Sequence, residues 1–349
     1  MNGRFAAANI KALAAGLVVV AVVVGIIAVS KLDTTGDKGS GLGPEYDYDV
    51  SGSAKIDPKL ILYEESGGPI STGFGRARSI FVDSGGSVYV AGDKAIRMFG
   101  RRGDLVKVID LADAPRCLSV DGDGKIYIGM KDHVEVYDSS GKRLASWQDL
   151  GENALLTSVA VRKNDVFVAD AGNRIVLHYD TKGTLINRIG RKDKDKGIAG
   201  FVIPSPYFDL AVGSDGLLRV ANPGLHRIEA YTFEGDLELQ WGEFSTGVEG
   251  FCGCCNPVNF AILADGSFVT CEKGLVRVKI YGPDGSFVGV VAGPEQLVAD
   301  GGSRVCENVA QCQAGGFDVA VSRFIGNGKV YVLDTIKGVV RMFVKAKAG

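Results

Sequence analysis

Ser158-Val-Ala-Val-Arg162 and Asp165-Val-Phe-Val-Ala169 stand on either side of a two-residue turn, and Ile175-Val-Leu-His-Tyr179 follows after a second turn. Each run has the length and β-branched character of a short strand and is too short for a helix. The phrase returns five more times. Upstream it reads Ser79-Ile-Phe-Val-Asp83 with Ser87-Val-Tyr-Val-Ala91, and Cys117-Leu-Ser-Val-Asp121 with Lys125-Ile-Tyr-Ile-Gly129. Downstream it reads Asp209-Leu-Ala-Val-Gly213 with Leu217-Leu-Arg-Val-Ala221, then Asn259-Phe-Ala-Ile-Leu263 with Ser267-Phe-Val-Thr-Cys271. The last copy is Asp318-Val-Ala-Val-Ser322 with Lys329-Val-Tyr-Val-Leu333. A repeat of this kind decides the architecture before any other argument.

Every copy has a third run that ends in an aromatic: Phe99, Tyr137, Tyr179, Tyr231, Tyr281 and Phe343. After five of them a turn closes on glycine, at Gly103, Gly141, Gly183, Gly235 and Gly285. A fourth run then alternates, as in Asp236-Leu-Glu-Leu-Gln-Trp241. Four short antiparallel strands per unit make one propeller blade. The fold expected is therefore all-β, a six-bladed β-propeller over 56–349. The sixth unit stops after three strands, which would leave an unpaired edge. Lys59-Leu-Ile-Leu-Tyr-Glu64 is expected to supply the missing strand and close the ring, the alternative being an irregular cap.

The insertions fall at about 190–204, 242–257 and 292–315, always between one fourth strand and the next first strand. All three are thus expected on one face of the disc. The motif Val166-Phe-Val-Ala-Asp170, Asn173-Arg-Ile175, Tyr179-Asp180 and Gly183 resembles the NHL-repeat family of six-bladed propellers. Asn222 with His226-Arg-Ile228, and Val330-Tyr-Val-Leu-Asp334, match more loosely. The resemblance covers about 56–345 and implies the fold. Related propellers host binding proteins and a few enzymes, so fold alone names no activity.

Ahead of the propeller, residues 1–11 form a short cytoplasmic N-terminus. Residues 12–30 are uncharged and rich in Val, Ile, Leu and Ala, long enough to cross a bilayer as a single transmembrane signal-anchor helix. Arg4 and Lys11 precede it and favour a cytoplasmic N-terminus. The alternative is a cleaved secretory signal ending near Ala28-Val-Ser30. Either reading exports the rest, so the propeller is expected on the periplasmic or extracytoplasmic side of the cell membrane. Residues 31–55 read as a flexible tether. The formal net charge of -2 gives no reason to expect nucleic acid.

Six cysteines, Cys252, Cys254, Cys255, Cys271, Cys306 and Cys312, are placed by topology on one face around blades five and six. Three readings stand: disulfides pinning the insertions in an oxidising compartment, a zinc or iron–sulfur site, or free thiols with redox use. With disulfides, adjacent Cys254 and Cys255 take different partners, Cys306 and Cys312. Phe251-Cys-Gly-Cys-Cys-Asn-Pro257 and Cys271-Glu-Lys-Gly-Leu-Val-Arg277 look like a segment of some bacterial exported NHL proteins. Cys117 reads as a small core residue.

A second candidate set is Asp170, Asn222, Glu272 and Asp334, each just after a second strand. Converging at the channel mouth they could hold Ca²⁺; otherwise each caps its own turn. The lyases and hydrolases on related propellers look as if they need histidines or an acidic metal shell near the axis. This chain has only His133, His178 and His226, which argues against an enzyme. The function expected is a membrane-tethered module that binds a protein partner, an envelope complex among them, through the inserted face of blades four to six, with no cofactor. The alternative is a redox or metal subunit using the cysteines; a weaker one is a hydrolase or lyase with a channel cation.

Overall fold

The computed structural model describes residues 55–298, 315–322 and 328–346. The membrane segment expected at 12–30, most of the expected tether, Cys306 and Cys312 lie outside the described residues. Among the described residues no helix is long and apolar enough to cross a membrane.

Six antiparallel sheets form the propeller. Blade three, for example, runs Leu156–Arg162, Asp165–Asp170, Ile175–Asp180 and Leu185–Ile189 in that order across the sheet. Its second strand is dry on both faces: Val166, Phe167, Val168 and Ala169 are all fully buried. That is why the second runs read as unbroken apolar stretches rather than as alternation. Each such Val or Phe contributes roughly 1.5–3 kcal/mol by leaving water. The fourth strands form the rim and alternate, as in Leu105–Asp110, where only Ile109 is buried.

The aromatic that ends each third strand is buried in every blade. In blades one to five the pairing of strands three and four shifts register at that residue, as between His178 and Tyr179. The glycine of the following turn then packs against the neighbouring blade. At Gly285, with φ +83, a Cβ would lie 2.4 Å from the Trp241 ring. Side chain and backbone conformation both demand glycine there.

The ring closes with a strand from each terminus, as expected, but over only the end of the stretch the sequence suggested. Tyr63–Glu65 pairs antiparallel with the last strand, Val339–Lys345, and Ile70–Ser71 adds a second short pairing. Pro58–Leu60 instead forms a 3-10 turn capped by Asp57. Leu62 then donates its N–H to Val290 O of blade five and accepts from Ala346 N. The expected strand therefore begins about four residues too early, since Pro58 starts a turn and Ile61 and Leu62 brace blade five.

Candidate functional site

The innermost strands of all six blades enclose a channel of about 1230 Å³. The first residue of each innermost run recurs as Ser79, Cys117, Ser158, Asp209, Asn259 and Asp318. Four of these staple one blade to the next. Leu210 N donates to Ser158 Oγ at 3.3 Å. Asp209 Oδ2 accepts from Phe260 N at 2.8 Å. Asn259 Nδ2 donates to Phe317 O at 2.7 Å. Asp318 Oδ2 accepts from Ile80 N at 2.9 Å and so joins blade six to blade one. The remaining oxygens of Asp209 and Asp318 accept from the next residue's own N–H, at 2.8 Å each. Burial pushes Asp209 up to about 6 and Asp318 up to about 7, the Asp209 charge adding to the latter. The polar start of each phrase was visible in the sequence. Its stapling role was not, because the partner N–H lies tens of residues away or at the other end of the chain.

At the inserted face the channel rim carries Arg76, Arg78 and Arg116 from blades one and two, and Tyr207 from the insertion before blade four. The Tyr207 hydroxyl accepts from Gly316 N at 2.8 Å, tying this insertion to the entrance of blade six. Lys273 Nζ lies 4.7 Å from the Tyr207 ring centre and donates to Ser205 Oγ at 3.0 Å.

Asp170, Asn222, Glu272 and Asp334 do not line the channel, and the structure does not bring them together. Asp170 accepts from Leu155 N at 3.0 Å and Asn173 N at 3.1 Å. Asn222 accepts from Val202 N at 2.9 Å and donates to Glu229 Oε1 at 3.0 Å. Asp334 accepts from Ile336 N and Lys337 N at 3.0 and 2.9 Å. Glu272 is the hub of a fully buried ion network. Its Oε2 lies 2.6 Å from Arg277 Nε and 3.0 Å from Lys279 Nζ, and its Oε1 accepts from Cys252 N at 2.8 Å. Arg277 Nη1 donates onward to Gly247 O at 3.1 Å, and Lys279 to Gly250 O. The insertion before blade five is thus fastened to a charged core. Among the described residues no cluster of three or more His, Cys, Asp or Glu is arranged to hold a metal.

Cys254 and Cys255 place their sulfurs 3.3 Å apart, a thiol contact rather than a bond. Cys254 is exposed, whereas Cys255 and Cys271 are buried. Cys271 packs in the core shared by blades five and six with Val258, Val278 and Val319. Burial pushes the Cys252, Cys254 and Cys271 thiols up, away from the thiolate form that binds metal. Cys117, in the innermost strand of blade two, is pushed up to about 12 by burial.

None of the three histidines lines the channel. His178 is buried with Nε2 2.7 Å from Asp165 Oδ1, and His133 Nδ1 contacts Asp132 Oδ1 at 2.7 Å. His226 sits in a left-handed backbone conformation, φ 55, with Nε2 2.5 Å from Gly253 O.

No protein-family model matches the chain, and no curated protein matches it. Solved structures with the same fold include a streptogramin B lyase, at 12% identity and TM-score 0.54, over 81% of this chain and 98% of that one. A catalytically inactive variant of virginiamycin B lyase from Staphylococcus aureus, with quinupristin, matches at 12% and 0.54, over 81% of this chain and 100% of that one. A protein of unknown function from Bacteroides thetaiotaomicron matches at 12% and 0.54, over 80% of this chain and 73% of that one. At such identities the likeness establishes one thing: the chain carries a six-bladed β-propeller with four-stranded blades.

Proposed function

We infer that the chain is an NHL-type propeller, exported and tethered to the membrane by residues 12–30, that binds a protein partner through its inserted face. The observation that carries this reading is the construction of that face. The chain before blade four is held by the Tyr207 to Gly316 bond and the insertion before blade five by the buried Glu272 network, around an open channel mouth. Rigid loops on a rigid ring suit recognition. Lyase chemistry is not carried over from the structural neighbours. Asp209 and Asp318 each spend both oxygens on backbone N–H groups, and no histidine lines the channel.

A photo-crosslinking amino acid placed in living cells tests this. At Tyr207 or Thr335, on the inserted rim, it should give one discrete higher-mass adduct. At Ser84 or Lys163, on the opposite rim, it should give none. Adducts from the opposite rim alone, or from neither, would sink the reading. Fractionation of the full chain against a chain lacking residues 1–30 tests the tether: only the former should sediment with membranes.

One observation favours the second reading, a redox or metal subunit: the adjacency of the Cys254 and Cys255 sulfurs. Metal analysis and absorbance of anaerobically purified protein decide it. A cluster-type band lost in Cys254→Ala supports it, and a colourless, metal-free protein removes it.

A further inference from the structure

We propose that Arg76, Arg78 and Arg116 form a site for a small soluble oxyanion, a polycarboxylate or a phosphate, at the inserted-face mouth of the channel. The proposal deepens the binding reading above and rests on it only for the site's biological use.

The first support is positional. Arg78 and Arg116 occupy the same place in the repeat, directly before Ser79 and Cys117. In the other blades that place holds Thr157, Phe208, Val258 and Phe317, and the last three are almost wholly buried in apolar core. Two neighbouring blades thus put guanidinium groups where the fold ordinarily puts a core side chain. A departure from local rules of this kind marks a functional position more often than a structural one.

The second support is the lack of partners. Among the described residues the Arg76, Arg78 and Arg116 side chains make no ion pair and no hydrogen bond, and the Nε atoms of Arg78 and Arg116 are buried without an acceptor. Four other arginines of the propeller are matched by carboxylates: Arg143 to Glu135, Arg219 to Asp215, Arg227 to Glu229, Arg341 to Glu65. The carboxylate whose charge acts on Arg78, Asp93, is bonded elsewhere, since its oxygens accept from Gly75 N and Arg76 N at 2.9 Å each. It fixes the backbone at Arg76, and its charge offsets the burial of Arg78 only in part.

The third is electrostatic. Burial, then the charges of Arg76 and Arg116, pulls Arg78 down to about 10. Burial and the Arg76 charge likewise pull Arg116 down. Half-buried Arg78 and Arg116 stand with exposed Arg76 as three like charges, a repulsion that an anion between them offsets. Guanidinium forks match the paired oxygens of carboxylate and phosphate. The site faces a channel rather than an open surface, which selects a small ligand over a polymer. Tyr207, on the same rim, feels the Arg76 charge and offers an aromatic wall.

The test is calorimetric titration of the full chain in detergent, at low ionic strength, with citrate and with inorganic phosphate. At least one should bind, and should raise the melting temperature. Arg78→Gln and Arg116→Gln should each weaken binding by about tenfold or more, and the double variant should abolish it. Arg78→Met keeps the apolar stem, so it should fold and melt no lower than the parent without anion, yet bind anion about tenfold or more weaker, as Arg78→Gln does. Lys142→Gln, in an exposed turn of blade two, should bind like the parent. No heat with either anion would overturn the proposal, as would equal affinity in the parent and the double variant. Rim adducts without anion binding would overturn this site and leave the binding-module reading standing; anion binding without rim adducts would do the reverse.

Discussion

Replacing Glu272 with glutamine should remove the anchor of the insertion before blade five, at a cost set by its two cations. Glu272, Arg277 and Lys279 are all fully buried. Breaking a buried ion pair from one side costs about 3–5 kcal/mol, because a charge is left without compensation. Here the two cations respond differently. Burial already pulls Lys279 down to about 8, with Glu272 the main opposing influence. Without Glu272 the ammonium sheds its proton, so its share of the penalty saturates. Arg277 cannot do so, and keeps only Gly247 O and the glutamine oxygen. The expected loss near neutral pH is therefore about 3 kcal/mol, the low end of the range.

The pH dependence has a definite sign. In the parent, Lys279 binds its proton less tightly folded than unfolded, so stability rises with pH between about 8 and the unfolded value of 10.5 and is flat just below 8. In Glu272→Gln that rising window starts lower. The deficit should grow as pH falls below 8, by up to about 1.4 kcal/mol per unit. Urea unfolding followed by Trp fluorescence reads it, since Trp241 packs on Tyr281 and Phe251 of the same region. A loss below about 1 kcal/mol at neutral pH would refute the hub role. A deficit independent of pH would refute the account of Lys279.

Three further outcomes follow from the same structure. Asp209 and Asp318 have raised folded values, so their stabilising contribution is complete below the unfolded value of 3.8 and is lost as pH rises through about 6 and about 7; Asp318→Ala should flatten the upper part of that fall in thermal melts while lowering stability at acid pH by about 1–3 kcal/mol through the lost Ile80 and Val319 bonds. Gly316→Ala would set a Cβ 2.3 Å from Tyr207 Cε1, and should cost about 1–3 kcal/mol by overpacking, much of it relieved in the Tyr207→Ala background of a double-mutant cycle. Thiol labelling of the native protein under reducing conditions should modify Cys254 readily and leave Cys117 and Cys271 untouched until unfolding, as mass mapping would show.

The strands were legible because their signal is local. A dry second strand must be apolar throughout, an aromatic marks the register shift that ends strand three, and glycine marks the turn pressed against the preceding blade. Closure was legible as a need, an odd edge lacking a partner, but its location was not. Whether Leu62 pairs with the last strand or braces Val290 depends on where Pro58 turns the chain. The site was legible in residue type and not in role. Asp170 and Asp318 look alike in sequence, yet one caps its own loop and the other reaches across the ring seam. Nothing near either residue says which N–H it will meet. The arginines escaped notice for the opposite reason: Arg78 and Arg116 stand out only when the six phrases are aligned and their neighbours prove to be core.

The seam between Tyr63–Glu65 and Val339–Lys345 also imposes an order of events on biosynthesis. Glu65 and Arg341, paired across that seam, are 276 residues apart in the chain. A ribosome adding about 5–20 residues per second needs on the order of tens of seconds to cover that interval. For all of it the first strand waits without its mate, and five blades accumulate around a gap. A chaperone has that interval in which to hold the early edge. A chain truncated before residue 339 never ends the wait, which makes the C-terminus a checkpoint for completed synthesis.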